Sequence, residues 1–222
     1  VRRYKRFFAD IQRKDSGEII VAHCPNPGAM LGLLTINNPV LLSVNTNPKR
    51  KLAYTLQAIQ IDRTWIGVNT ALPNELVALA LTHHLIPQLI GYSSVRREVK
   101  YGLSSRIDFL LTAPNQPDCY VEVKNVHLKR QDHAEFPDSV TARGAKHLQE
   151  LSLLAQQGYR CVIIYVIQRD DCKGFQIASD LDRAYGKAAA IAHDQGVESL
   201  TLTYSLNHVA NSLNLQLKEQ AV

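Results

Sequence analysis

Ser105-Arg106-Ile107-Asp108-Phe109-Leu110 and, fourteen residues beyond Asp108, Glu122-Val123-Lys124 are the stretches on which the fold of this 222-residue chain turns. Both alternate polar with apolar side chains, the period of a β-strand. Glu122 and Lys124 then project from one face of their strand while Val121 and Val123 pack on the other, and Asp108 arrives from a neighbouring strand. Two carboxylates on adjacent strands repel unless something positive lies between them. A divalent ion does this, and Mg²⁺ or Mn²⁺ suits one or two carboxylates completed by water and phosphate oxygens. A lysine beside them can hold the attacking water and steady negative charge developing at phosphorus. Asp108, Glu122 and Lys124 are therefore the candidate catalytic set for metal-assisted phosphodiester hydrolysis, with Asp108 and Glu122 as candidate metal ligands. Glu-Val-Lys occurs twice, at Glu98–Lys100 and Glu122–Lys124. Only the second copy follows an Asp-bearing strand and precedes a capped helix, which leaves Glu98 as a third candidate acid on an adjoining strand. The competing reading is a solvent-facing Glu/Lys alternation with Asp108 paired to Arg106.

Outward from this centre, residues 71–222 read as a mixed α/β domain whose sheet is flanked by helices. Asn74 is expected to cap a helix running towards Ile86, where Pro87 stops it. Val95–Tyr101 and Arg106–Thr112 are expected strands joined by a tight Gly102-Leu103-Ser104-Ser105 turn, and Tyr120–Val126 is a third. Thr141–Gln157 has helical spacing and ends at Gly158; Cys161–Ile167 is a continuous apolar run suited to a strand buried on both faces. Ser179-x-x-Asp182 resembles a capping box before an Ala-rich helix to Gln195, and Ser199–Tyr204 is the last expected strand. Residues 1–70 differ in character. Five expected strands, Tyr4–Gln12, Glu18–His23, Val40–Val44, Leu52–Asp62 and Thr64–Asn69, are separated by Asn-, Pro- and Gly-rich pieces, the pattern of a small all-β barrel.

Composition excludes several classes. A 45% hydrophobic content with a net charge of +5 is not that of a disordered chain. The richest apolar stretch, Leu76–Ile90, is interrupted by Thr82, His83, His84 and Pro87, so no membrane helix is expected. Val1 to Phe8 lacks both an initiator Met and the apolar core of a secretion signal; a trimmed start and a cytoplasmic location are the expectations. Cys24, Cys119, Cys161 and Cys172 show no metal spacing and read as free thiols. The charge is concentrated: residues 1–63 hold ten basic and four acidic groups, a net of +6, and the rest of the chain nets −1. Two clusters supply it, Arg2–Arg6 and Lys49–Lys51, interleaved with Tyr4, Phe7, Phe8 and Tyr54. Cations beside aromatic rings suit a phosphate backbone with stacked bases, making Arg3, Lys5, Arg6, Lys49, Arg50 and Lys51 candidate nucleic-acid ligands. Asp138, Arg143, Lys146 and His147 frame a helix start where a phosphate could also sit, with Arg143 and Lys146 the cations. A capped surface helix is the plainer reading of that stretch.

Tyr4-Lys5-Arg6-Phe7, His23-Cys24-Pro25-Asn26-Pro27-Gly28-Ala29-Met30, Ser105 to Leu110, Tyr120 to Lys124, Phe136-Pro137-Asp138 and Arg143-Gly144-x-Lys146-His147-Leu148, in that order, resemble the sugar fermentation stimulation protein A family over nearly the whole chain. The resemblance implies two domains: an N-terminal OB-like barrel over 1–70, and a restriction-endonuclease-like PD-(D/E)xK domain over 71–222. It carries Asp108, Glu122 and Lys124 onto the nuclease signature, with Glu98 as the extra acid. Ile107 stands at the signature's proline, Asn125 where serine is expected and Pro27 where threonine is expected. It further implies DNA binding and regulation of sugar use. Two functions stay open at this level. One is a DNA-binding regulator with a metal-binding, nuclease-like scaffold; the other is an active Mg²⁺- or Mn²⁺-dependent nuclease on DNA or RNA.

Overall fold

Cys161 to Ile167 is apolar at every position, and such a strand is stable only with both faces covered. In the computed structural model, which describes residues 2–101, 105–209 and 212–220, the strand Arg160–Ile167 lies in the middle of a sheet, with every residue from Cys161 onward buried. The N-terminal part supplies β1 (Arg2–Tyr4), β2 (Phe8–Gln12), β3 (Ile19–His23), β4 (Val40–Val44), β5 (Tyr54–Ile61) and β6 (Thr64–Gly67). Next come α1 (Leu72–Thr82), a 3-10 turn at Pro87–Leu89, β7 (Ser94–Tyr101), β8 (Ser105–Ala113) and β9 (Gln116–Val126). Two short strands, β10 (Leu128–Arg130) and β11 (His133–Phe136), precede α2 (Ala142–Gln156). The chain ends with β12 (Arg160–Ile167), β13 (Gly174–Ile177), α3 (Arg183–Asp194), β14 (Val197–Val209) and β15 (Ser212–Gln220).

Within the second part β12 runs parallel to β9 on one side and to β14 on the other, while β8 and β7 extend the sheet antiparallel beyond β9. The strand alternation then decides which helix covers which face. Phe109, Leu111, Val121, Val123, Val162 and Ile164 pack beneath α1 through Leu76, Val77 and Ala80. Ile163, Tyr165 and Ile167 point the other way, into a core closed by Leu148 and Leu151 of α2 and Tyr185 and Ala188 of α3. The N-terminal strands surround a third core of Ala9, Ile11, Ala22, Leu33, Leu56, Ile59 and Ile66. One pairing, Trp65 of β6 with Leu206 of β14, makes the barrel strands and the α/β strands a single hydrogen-bonded sheet. Among the described residues no helix is long and apolar enough to cross a membrane.

Local chemistry corrects several expected boundaries. The first expected strand is a hairpin: Lys5 and Arg6 adopt left-handed φ values of 47° and 62°, and β1 folds back on β2 with Tyr4 opposite Phe8. Six strands therefore replace five. The helix expected to open at Asn74 opens at Leu72, with Ala71 as its N-cap and Pro73 in the first turn. Asn74 lies inside that turn and its side chain bonds elsewhere; the helix also closes at Thr82 rather than Ile86. Ser179 does not cap α3. Asp182 does, accepting from Tyr185 N–H at 2.9 Å, and its other oxygen accepts from Thr141 N–H at 2.7 Å. Thr141 in turn caps α2 through Gly144 N–H. The expected turn at 102–104 lies outside the described residues.

Asp182 thus joins the starts of α2 and α3 from a buried position. Asp182→Ala removes both acceptors at once, and the expected loss is about 2–3 kcal/mol of unfolding free energy, read by urea denaturation.

Candidate active site

The centre forms where β8 and β9 part. Their pairing runs through Leu111↔Cys119, Leu110↔Tyr120 and Phe109↔Val121. At the next step the Asp108 carboxylate takes over the role of a strand partner, accepting from Val123 N–H through Oδ2 at 2.7 Å. Its Oδ1 accepts from Asn74 Nδ2 of α1 at 2.7 Å, which is what Asn74 does instead of capping. Glu122 and Lys124 project together from β9 as their spacing requires, with Lys124 Nζ 2.8 Å from Glu122 Oε1. The same oxygen is hydrogen-bonded to Nδ1 of His147, which α2 presents from across the site. Arg143 Nε donates to His147 Nε2 at 3.3 Å, so the proton His147 offers Glu122 sits on Nδ1. Glu122 Oε2 is left buried with no hydrogen-bond partner.

The electrostatics follow from this packing. Burial, then the neighbouring Glu122, push the Asp108 carboxyl up to about 6, against the opposing pull of its two hydrogen bonds. Burial would raise Glu122 too, but the His147 hydrogen bond and the Lys124 charge prevail and hold it below its ordinary value. The centre therefore holds one firmly ionised carboxylate with a free buried oxygen beside a second acid that a cation would help ionise. Among the described residues no three His, Cys, Asp or Glu side chains form a ready-made metal cage. Two carboxylates with open positions left for water and phosphate match the habit of Mg²⁺ or Mn²⁺, not the closed tetrahedral set of structural zinc.

Asp108, Glu122 and Lys124 are brought together as expected, but Glu98 does not join them. It stands opposite Asp108 in the β7–β8 register at a left-handed φ of 53°, where the pairing steps from Arg97↔Phe109 to Val99↔Ile107, and it is exposed. Arg3 also differs from expectation. Its guanidinium donates to Asn26 O at 2.6 Å, Gly28 O at 2.7 Å and Arg6 O at 2.9 Å, which makes it a brace for the hairpin. Lys5 and Arg6 are exposed at the hairpin tip, and Lys49, Arg50 and Lys51 are exposed between β4 and β5. Lys146 lies 3.6 Å from Glu150 one helical turn on, and Arg143 bonds His147. His147 itself was legible only as part of a helix start. The missed signal is the buried stripe Gly144, His147, Leu148, Leu151, which puts a histidine on the core side of α2.

A splayed strand pair carrying two acids and a lysine, between helices and behind a β-barrel, defines a restriction-endonuclease-like domain joined to an OB domain. Family models agree: "SfsA N-terminal OB domain" matches residues 1–68, and "Sugar fermentation stimulation protein RE domain" matches residues 71–209. The chain belongs to the sugar fermentation stimulation protein (SfsA) family. It is 53% identical to a sugar fermentation stimulation protein homolog of Rhodospirillum centenum over 93% of this chain and 88% of that one. The homolog of Bartonella henselae is 49% identical over 89% of this chain and 84% of its own length. The structure of Pyrococcus furiosus SfsA in complex with Ca²⁺ matches the fold with a TM-score of 0.88, covering 99% of this chain and 91% of that one at 23% identity.

The Asp108 shift has a sign that can be checked without any reaction. Its folded value, about 6, lies above the ordinary 3.8, so between those values the folded chain binds more protons than the unfolded one. Metal-free stability contributed by this group is therefore full below about pH 4 and is lost as pH rises through about 6, by on the order of 3 kcal/mol. Asp108→Asn should abolish that part of the pH dependence in EDTA and raise the neutral-pH melting temperature; calorimetry from pH 4 to 8, parent against variant, reads both.

Proposed function

We propose that this protein binds DNA and hydrolyses its phosphodiester bonds with Mg²⁺ or Mn²⁺ held by Asp108 and Glu122. The observation that carries the reading is the buried Oε2 of Glu122, a carboxylate oxygen with no hydrogen-bond partner, on an acid close enough to raise Asp108. Leaving such an atom unpaired costs about 1–3 kcal/mol or more, and a cation removes the cost. A bound divalent ion supplies Lewis acidity towards a phosphate oxygen and a water made more acidic. The chain's own residues do the rest. His147 and Lys124 both engage Oε1 of Glu122, which leaves Oε2 as the oxygen open to a cation. Asn74 and Val123 N–H hold Asp108 in one orientation. Lys124, once its carboxylate partner is engaged by the ion, can place its ammonium against the water or the phosphate. The Pyrococcus furiosus relative, whose structure is a complex with Ca²⁺, supports a divalent site. In this reading residues 1–70 supply affinity for the nucleic acid and residues 71–222 supply the chemistry.

A second reading, a DNA-binding regulator of sugar-use genes whose nuclease-like domain only binds metal, rests on the state of the lysine. Lys124 Nζ is paired with Glu122 and its side chain is 11% exposed, a closed arrangement that can hold a fold without turning over.

Incubation of single- and double-stranded DNA and RNA with Mn²⁺ separates the two. Cleavage is expected from the parent and is expected to fall at least 100-fold in Lys124→Ala and in Glu122→Ala, with DNA affinity kept within about threefold. Binding without cleavage in the parent would decide for the regulator. Calorimetric Mn²⁺ uptake unchanged in Asp108→Ala and Glu122→Ala would remove the metal assignment altogether.

A further inference from the structure

A groove of about 620 Å³ opens between the two halves of the molecule. Lys5 and Arg6 at the β1–β2 tip form one wall, Pro27 and Gly28 the floor, and Ser139 and Val140, just before α2, the other wall. No Asp or Glu is among the described residues that line it.

Three features make this more than a gap between packed parts. The first is a strained tip. Lys5 and Arg6 hold consecutive left-handed conformations that side-chain-bearing residues avoid, and Arg3 fixes them there by bonding Arg6 O, Asn26 O and Gly28 O. Two exposed cations are thereby presented side by side on a braced turn. The second is the joint below. Asp138 accepts from Met30 N–H at 2.8 Å, from His127 Nε2 at 3.0 Å and from Ser139 Oγ at 3.2 Å, so one carboxylate ties the barrel segment to the wall before α2. Burial would raise that carboxyl, but the His127 bond keeps it below its ordinary value, so it stays ionised and engaged. Gly28 permits the approach, since a Cβ there would lie 2.7 Å from both Asp138 oxygens. The third is a link to β9 and, through α2, to the acid–lysine centre. Asn125 Nδ2 donates to His127 Nδ1 at 3.3 Å from the face of β9 opposite Glu122 and Lys124, which ties the joint to the strand itself. From the far wall, α2 carries His147 to Glu122, with Arg143 donating to the other ring nitrogen of that histidine.

We propose that this groove is a binding site for the sugar–phosphate backbone of a DNA strand, in which Lys5 and Arg6 hold phosphates of the same strand that reaches the acid–lysine centre. The inference rests on the function proposed above and adds where the strand runs. The chemistry fits a polynucleotide: two cations for successive phosphates on one side, and an apolar lip on the other in Val140, which is 76% exposed, for a sugar or base face. The Asp138–His127 pair acts as a positioning device, holding the two walls in register with β9.

The test uses the full chain and fluorescein-labelled 20-mers, single- and double-stranded, with anisotropy in EDTA over a salt series and cleavage in Mn²⁺. Lys5→Gln with Arg6→Gln is expected to weaken binding about tenfold at 0.1 M salt and to reduce the slope of log affinity against log salt by about 1.4–1.8, the counterions of two phosphates. Val140→Glu, an exposed change on the opposite wall that leaves the hairpin untouched, is expected to weaken binding at least threefold. Lys187→Gln, on exposed α3 surface, serves as the control and should bind as the parent does. A parent that binds DNA while both groove variants match it overturns the groove. So does loss of affinity confined to a Lys49→Gln, Arg50→Gln, Lys51→Gln variant. A parent that binds but does not cleave, with both groove variants weakened, sustains the groove and overturns only the hydrolytic reading. A parent that binds neither oligonucleotide overturns both.

Discussion

Two acids brought together inside a protein must each find a reason to stay charged, and the α/β half of this molecule is organised around that requirement. Asp108 sits where β8 leaves β9, so that a backbone amide freed from strand pairing becomes its donor. Asn74 reaches it from α1 and His147 reaches Glu122 from α2, one from each helical layer. Lys124 is on the same strand face as Glu122 because strand geometry allows nothing else for a residue two positions on. The asymmetry matters. Glu122 is over-supplied with positive partners on one oxygen, and Asp108 is held between neutral donors, so the two carboxyls are driven apart in acidity.

The second organising contact is the seam between the halves. A carboxylate, Asp138, joins a main-chain amide at Met30 in the barrel to a buried histidine, His127, in the α/β part. Gly67 N–H donates to Gln168 O beside this seam, and the Gln168 amide continues it to Asn125. A polar seam is directional in a way an apolar one is not: each donor fits one acceptor, so the angle between barrel and sheet is set and not merely favoured.

Much of the architecture was legible because it depends on local periodicity. The apolar run Cys161–Ile167 announced a strand covered on both faces, and the Glu122/Lys124 spacing placed both side chains on one face without any knowledge of the fold. What was not legible depends on partners far away in the chain. Asn74 looks like a helix cap by sequence, yet Asp108 claims its side chain across a separation of 34 residues. Ser179 and Asp182 both match a capping pattern, and only the second is also within reach of Thr141. Glu98 has the right neighbours and the right register; a left-handed backbone at that one residue takes it out of the ladder. Arg3, Lys5 and Arg6 look equivalent in the sequence, and only the placing of Asn26 and Gly28 separates the brace from the two cations it supports.

The pairing of Trp65 with Leu206 bears on how the chain is made. The strand β6 is made well before β14, so its outer edge meets this partner only after the strands and helices between them in the chain have been made. Until then the β6 edge lacks this partner, and open edges are the kind that recruit strands from other chains. The short length of β6, four residues, limits that hazard during translation. A nascent barrel released early, by truncation or by proteolysis after the barrel, would keep the open edge for good.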